Sequence, residues 1–388
     1  MLGLSRQPEA RTITNLPWGD WGDPSPTWAG PHIDRQTAMQ LLAVYGCNRF
    51  IAEGIATLPI DVYRWTQDGR EPVREPAWLT KPTADLDRVS WLTQILTSLL
   101  LDGNAYLRLV YDDRVTLAEL VPLDPAQVAV RRNERTKRKE YLVGGRPVDG
   151  FEILHIPGLM SPGSDVGMSP VEAARQTIGS GMAVQEFAGR FFSQGANLSG
   201  VIETPGELTP QKAREMATAW ARRHSGNRKA HLPGVLEGGA VWKPTGVTNE
   251  QAQFLQTQQF TAAEIASFMF QIDPTEFGMS MDKGSSITYA NLEQRNARKV
   301  AVTYLPWIVR LETAFSALLA QPRFMKFNVN GLLRGDLQTR YGSYETGITN
   351  GFLLRSEARA FEDLRPIDGI DDQPAPAPPE GGTPDDDA

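Results

Sequence analysis

At 388 residues, 41% hydrophobic and 22% charged, the chain has an ordinary globular composition and length for two or three domains. A single cysteine, Cys47, excludes an internal disulfide, no apolar run is long enough to span a membrane, and no secretion leader is expected. A net charge of −7 argues against a general nucleic-acid-binding protein, while local basic patches remain open.

Residues 1–35 hold Pro, Gly and three tryptophans (Trp18, Trp21, Trp28) without a period, and an extended or disordered arm is expected. Gln36 to Thr57 reads as a helix, with Leu41, Val44, Ile51 and Ile55 at helical spacing, stopped by Leu58-Pro59. Cys47 within it is read as a small buried residue. Ile60 to Trp65 is a predicted strand, and Gln67-Asp68-Gly69-Arg70 carries the Asp-Gly hairpin signal. Val89 to Leu101 is a helix presenting Leu92, Ile95, Leu96 and Leu99, broken by Asp102-Gly103-Asn104. Strands at Ala105–Tyr111, Ala118–Pro122, Val128–Arg132, Tyr141–Val143 and Phe151–Ile156 complete a mixed α+β domain.

Ser169-Pro170-Val171-Glu172 is a helix start, with Ser169 as cap and Pro170 at the first helical position. That helix runs to Gln194, and Gly195 suits its end. A compact insert follows: a strand at Gly200–Glu203, a helix at Pro210–His224 capped by Thr209, and strands near Leu232–Leu236 and Ala240–Trp242.

The organising stretch is Thr248 to Leu319. Thr248 and Gln251 form a capping-box pattern at its start. The helix that follows shows two apolar stripes, Leu255, Ala262, Ala266 and Met269 beside Phe254, Thr261, Ile265 and Phe268, and ends before Pro274. Its polar residues are mostly Gln251, Gln253, Gln256, Gln258 and Gln259 rather than a Lys/Glu mixture. Such a helix suits contact with copies of itself, or lining something it must not grip; a helical hairpin in a globular core fits as well. A Gly/Ser-rich loop, Pro274 to Ser286, leads to a second helix from near Thr288 to Leu319, in which Pro306 predicts a kink. Beyond it, Phe324–Val329 reads as a strand, Gly335–Thr346 and Ser356–Leu364 as helices, and the Pro- and Asp-rich end from Asp371 as disordered.

No catalytic spacing holds. Gly278 to Ser285 has Lys283 before Gly284, the wrong order for a phosphate-binding loop. The four histidines, His32, His155, His224 and His231, lack partners at metal-ligand spacing and read as surface or structural. No enzyme activity, cofactor or metal is expected. Two basic clusters stand out: Arg131, Arg132, Arg135, Lys137, Arg138 and Lys139 around a hairpin tip, and Arg222, Arg223, Arg228 and Lys229 in the insert. Each is either a solvated loop or a docking site for an acidic protein or phosphate.

Several runs together resemble the portal proteins of long-tailed (siphovirus-type) bacteriophages. Ala43 to Tyr63 (AVYGCNRFIAEGIATLPIDVY) is similar to that family's first helix and strand, and Leu99 to Tyr106 (LLLDGNAY) to its second helix end. Glu152-Ile-Leu-His-Ile156 with Gly167-Met-Ser-Pro170 resembles the entry to its stem. Phe192 to Ala196 and Val235 to Gly239 are similar to its middle, and Asn350 to Arg359 through Pro366-Ile-Asp-Gly369 to its C-terminal signature. The order and spacing of these pieces cover roughly 36–370.

The resemblance implies an α+β portal fold that forms a ring, usually of twelve subunits, at one capsid vertex. It divides the chain into an arm (1–35), an α/β wing (36–168), stem helices (169–195 and 248–273), a small α/β clip (196–247), a tunnel loop (274–287), a kinked helix of the wing (288–320), a helical crown (321–370) and an acidic tail (371–388). It implies passage of double-stranded DNA in packaging and ejection, with the terminase large subunit, a head-completion or adaptor protein, and a capsid or scaffolding protein as partners. A DNA-processing enzyme or a plain nucleic-acid-binding protein of a phage or prophage is the other class. Within the portal reading, Phe277, Met279, Met281 and Lys283 are the channel-loop residues. Arg222, Arg223, Arg228 and Lys229 dock terminase or adaptor, and Phe254, Leu255, Ile265 and Met269 pack the stem. Gln-rich walls and a negative subunit suit a conduit, because each phosphate neutralised adds affinity and hence friction.

Overall fold

The computed structural model describes residues 27–67, 69–193, 200–205, 209–224, 239, 241–244, 250–279, 289–333, 337–362 and 364–371. It separates into two compact units. One holds the chain to Ser285 together with Ala301–Phe327, and the other holds Ser286–Val300 and the chain from Asn328.

The larger unit is built on two helices, Leu42–Ala56 and Arg88–Asp102, which pack against each other. Val44, Cys47, Ile51 and Ile55 of the first and Trp91, Leu92, Ile95 and Leu99 of the second are buried, as the 3/4 spacing requires. Asp87 caps the second helix by accepting from the N–H groups of Val89 and Ser90, and Gly103 ends it in the left-handed conformation. Trp91 is fully buried, donates its ring N–H to the Leu120 carbonyl at 2.8 Å, and lies 5.1 Å from the Phe315 ring. That satisfies the indole while its apolar area is removed from water.

The larger unit also holds three antiparallel three-stranded sheets. In the first, Ile60–Thr66 lies between Gly69–Val73 and Arg323–Phe327, with Ile60 opposite Phe327 and Val62 opposite Met325. The strands on either side of the Asp-Gly turn pair as expected, although Asp68 itself is outside the described residues. The strand near Phe324 is therefore paired with residues far earlier in the chain. Glu312, buried in the helix Leu305–Ser316, fixes it by accepting from the Phe327 N–H at 2.9 Å and from Lys326 Nζ at 2.5 Å. In the second sheet, Asn104–Tyr111 lies between Leu117–Leu123 and Ile153–Pro157. The third is Val128–Arg132, Lys139–Val143 and Arg146–Val148, whose Tyr141 packs with Tyr106 and Ile153. The last of these strands, and the short helix Ala77–Thr80, have too few residues to show a period and were not expected from sequence.

Four helical expectations change in detail. The run Gln36–Thr57 is two pieces, Arg35–Ala38 and Leu42–Ala56. A capping box between Asp34 and Thr37 closes a single turn, and Leu41 then turns extended. The run 170–194 is interrupted at Ala174, giving Pro170–Ala173 and Arg175–Ser193. Ser169 caps the first piece as expected, accepting from the Glu172 N–H at 3.2 Å while donating to the Leu101 carbonyl at 2.8 Å. The run 249–272 is α-helical over Glu250–Glu264 and then widens into a π turn over Ile265–Met269. The predicted kink at Pro306 is a second π segment, Lys299–Tyr304, immediately before it. Pro306 has no N–H and its ring would strike the carbonyl four residues back, so the strain is taken up in the preceding turn.

The insert contributes Gly200–Glu203 paired antiparallel with Val241–Pro244, and the helix Pro210–His224, which Thr209 precedes as expected. The capping pair at Thr248, the strand at 232–236, Gly195 and the tail from 372 lie outside the described residues. In the smaller unit, Leu337–Thr349 and Arg355–Phe361 are joined through Glu362, which accepts from Arg340 at 2.8 Å and from the Tyr344 hydroxyl at 2.9 Å. Among the described residues no helix is long and apolar enough to cross a membrane.

Candidate functional site

The site is the helical segment 250–269 with what packs on it. The helix Arg175–Ser193 approaches it at Gly181, where a Cβ would stand 3.2 Å from Thr261 Cγ2 and 3.1 Å from Leu41 Cδ2. A side chain there would push the two helices apart. Two residues earlier on the same helix, Gly179 faces Thr27, and Gln176 accepts from the Trp28 N–H at 3.1 Å. The end of the expected arm thus lies on this helix, with Thr27 buried and the Trp28 side chain exposed.

Ile265 is 1% exposed and Met269 is half-buried. Phe254 and Leu255 lie in Glu250–Glu264, but their side chains are outside the described set. Phe268, expected beside the apolar stripe, is 81% exposed. The reason is the π turn, whose wider i→i+5 bonding, seen in the Phe270 N–H to Ile265 carbonyl bond at 3.3 Å, changes the side-chain register. The segment then closes tightly. Gln271 is left-handed, its carbonyl accepts from Thr303 Oγ1 at 2.5 Å, and Ile272 donates to the Ala266 carbonyl at 2.8 Å.

The loop after it begins in an ordered turn. Asp273 accepts from Thr275 N at 3.0 Å and from Thr275 Oγ1 at 2.7 Å, Pro274–Phe277 form one 3₁₀ turn, and Gly278 ends it with φ of 73°. Phe277 meets the Phe50 ring edge-on at 5.5 Å. Phe50 lies 6.0 Å from Tyr304, whose hydroxyl donates to the Phe50 carbonyl at 3.3 Å. Burial pushes the Tyr304 hydroxyl up to about 12, so it remains a donor at any working pH. Phe277 and Met279 border a groove of about 560 Å³ shared with Leu42, Cys47, Gly181 and Ala262. Burial alone pushes the Cys47 thiol up to about 12, in keeping with a small packed residue. Met281 and Lys283 are outside the described residues. Of the insert's basic group, Arg222 and Arg223 are in the helix Pro210–His224 with side chains outside the described set, and Arg228 and Lys229 are outside it altogether.

A joint that sequence reasoning treated only as a helix break holds the segment leading into the helix Pro170–Ala173 against the end of Arg88–Asp102 and the strand that follows it. Gly103 has φ of 69°, and a Cβ on it would stand 1.9 Å from the Met168 carbonyl oxygen. Gly158 donates to the Gly103 carbonyl at 2.8 Å. Asn104 locks the same spot. Its Oδ1 accepts from the Gly167 N–H at 2.7 Å and from His155 Nε2 at 3.0 Å, and its Nδ2 donates to the Gly167 carbonyl at 2.9 Å. His155 stacks on Tyr106 at 4.5 Å. Burial, aided by nearby Lys139, lowers it to about 4, which makes it a neutral structural histidine. The sequence signal was available in Asp102-Gly103-Asn104, where a glycine is followed by a short amide.

Comparison with known proteins agrees with this architecture. The family model for phage portal proteins matches residues 42–363. A probable portal protein of Streptomyces phage phiC31 is 32% identical over 364 residues, covering 88% of this chain and 79% of the relative. The portal protein of Enterobacteria phage HK97 is 25% identical over 356 residues, covering 87% and 82%. Among solved structures, the neck of a native gene transfer agent particle, computed with C12 symmetry, aligns with TM-score 0.59 and 25% identity over 89% of this chain and 97% of that one. The chain belongs to the phage portal protein family.

Proposed function

We propose that this portal protein closes into a ring of twelve copies at one capsid vertex of a phage particle and serves there as the conduit for double-stranded DNA. Portal function and a place in the virion follow from the family, and the single observation that carries the ring is the likeness to a neck of twelvefold symmetry. In this reading Arg175–Ser193 and 250–269 are the stem, 196–247 the clip, 36–168 the wing and 274–287 the tunnel loop. The pairing of Arg323–Phe327 with Ile60–Arg64 favours counting that strand with the wing, so that the crown begins near 328. The clip's Arg222, Arg223, Arg228 and Lys229 would dock the terminase large subunit and later an adaptor, while other surfaces meet capsid or scaffolding protein. The role is structural, without catalysis or cofactor.

The loop from Pro274 supports the conduit reading through its anchoring, because Phe277 on Phe50 fixes its first turn to the wing helix. Lys283, its one cation, would give each subunit a single transient phosphate contact. In a phage complemented with Lys283→Glu, heads should assemble and package or retain less DNA; full-length packaging at the normal rate would contradict the loop's role. Charge reversal at Arg222 and Arg223 should leave rings intact and abolish terminase pull-down at moderate salt.

A further inference from the structure

We infer that the hairpin tip at 133–138 is a docking site for an acidic segment of another protein. Residues 131–139 hold six cations and one acid, Glu134, a net +5, so in a chain of −7 the remainder carries −12. The root of the hairpin neutralises part of this charge internally. Arg131 donates to Glu140 at 2.8 Å, Arg132 pairs with Asp165, and Lys139 donates to the Asp165 carbonyl at 2.7 Å. The Arg132 guanidinium holds the Asp165 carboxyl below its ordinary range, and Asn133 and Arg131 do the same to Glu140. These root charges are occupied.

The tip is different. Arg135, Lys137 and Arg138 are exposed, and among the described residues their side chains have no ion-pair partner. Their backbone is nevertheless fixed. Asn133 Oδ1 accepts from the N–H groups of Arg135 and Thr136, both at 2.9 Å, and the Lys137 carbonyl accepts from Arg132 at 2.8 Å. Asn133 and Arg138 close the strand pair at 2.9 Å, and Lys137 sits in the left-handed region at φ of 57°. The sheet below is anchored by Tyr141, packed on Tyr106 and Ile153. Three cations, unpaired among the described residues, are therefore held on a hydrogen-bonded turn, and such preorganisation reduces the ordering cost of binding.

The chemistry favours an acidic protein segment over DNA. A duplex presents charge along its whole length, and the basic surface here ends at the root, where Glu140 and Asp165 lie. At long range the −12 of the remaining chain opposes any polyanion, and a long duplex more than a short acidic segment that reaches the tip alone. A short acidic segment of a folded partner meets only the tip, and complementary charge there sets its register and speeds encounter. If the chain assembles as proposed, every copy presents one tip, and a partner with repeated acidic segments would bind multivalently.

The test uses the full chain, with labelled poly-glutamate as probe and a labelled DNA duplex as comparator. The triple variant Arg135→Gln, Lys137→Asn, Arg138→Gln removes the charges; Asn at 137 tolerates the left-handed backbone. Arg146→Gln, on the same sheet away from the tip, is the control. The expected result is poly-glutamate binding that weakens with salt and is about tenfold weaker in the triple variant, with Arg146→Gln as wild type. An Arg135→Lys, Arg138→Lys variant should retain most of it. Equal peptide binding by wild type and a folded triple variant would overturn the proposal. So would duplex binding that exceeds peptide binding and is lost in the triple variant, which would make the tip a phosphate site.

Discussion

Gly181 and Thr261 join two helices at a point where neither can grow: a Cβ on Gly181 would lie 3.2 Å from Thr261 Cγ2. Gly189, two turns further along the same helix, has no atom of the described residues within 4 Å of its Cβ position. Substitution should therefore act with opposite signs at the two sites. Gly181→Leu should destabilise by about 1–3 kcal/mol through overpacking, whereas Gly189→Ala should stabilise by up to about 1 kcal/mol through helix propensity. Thermal unfolding of the two variants beside wild type checks this, and equal shifts would remove the close contact as a determinant.

Ile265 begins the π turn and is almost wholly buried. Ile265→Asp would place a charge there without a partner, at a cost of several kcal/mol, and the variant should fail to give folded rings. Ile265→Leu keeps volume and polarity and should cost less than about 1.5 kcal/mol. Chromatographic yield of assembled material distinguishes them; assembly of the Asp variant at wild-type yield would show that this packing does not matter.

Phe277 ties the first turn of the loop to Phe50. Phe277→Ala should lose the edge-on aromatic contact, about 0.5–1.5 kcal/mol beyond area, and loosen the turn that Asp273 caps. Limited proteolysis should then cut within 274–287 faster than in wild type while global unfolding moves little. Unchanged cleavage would mean that Asp273 and Pro274 alone hold the turn.

His155 makes stability depend on pH. Its folded value of about 4 lies below the ordinary 6.5, so between these limits the unfolded chain takes up a proton that the folded chain refuses. Stability should be full above about pH 6.5, fall as the pH drops towards 4, and level off below, by roughly 3 kcal/mol in all. His155→Gln should remove this share of the slope in denaturant titrations between those limits, and a slope identical to wild type would assign it to other groups.

Much of the fold was legible because the larger unit is built from regular periods. The spacing of Val44, Ile51 and Ile55, and of Leu92, Ile95 and Leu99, marks two helices whose buried faces pack together. The family runs pointed to the portal protein family, whose model matches residues 42–363. Close backbone approach was hidden, because a glycine such as Gly181 reads the same in a loose helix as in a tight crossing. The π turns were hidden too. The residues of Ile265–Met269 continue an α period in sequence, and only the backbone bonding shows the change that turns Phe268 outward. Phe277 was expected at a channel tip because aromatic residues are unusual on exposed loops; its partner Phe50 is more than two hundred residues away and could not be read from local pattern.

The central claim is that copies of this chain assemble as a ring around a bore. Electron microscopy of the purified full-length protein, with particles averaged without imposed symmetry, tests it most directly. The account predicts closed rings with a central hole and twelvefold end views like the neck to which the chain is similar. Monomers or open, hole-free assemblies at concentrations where the protein is folded would contradict it.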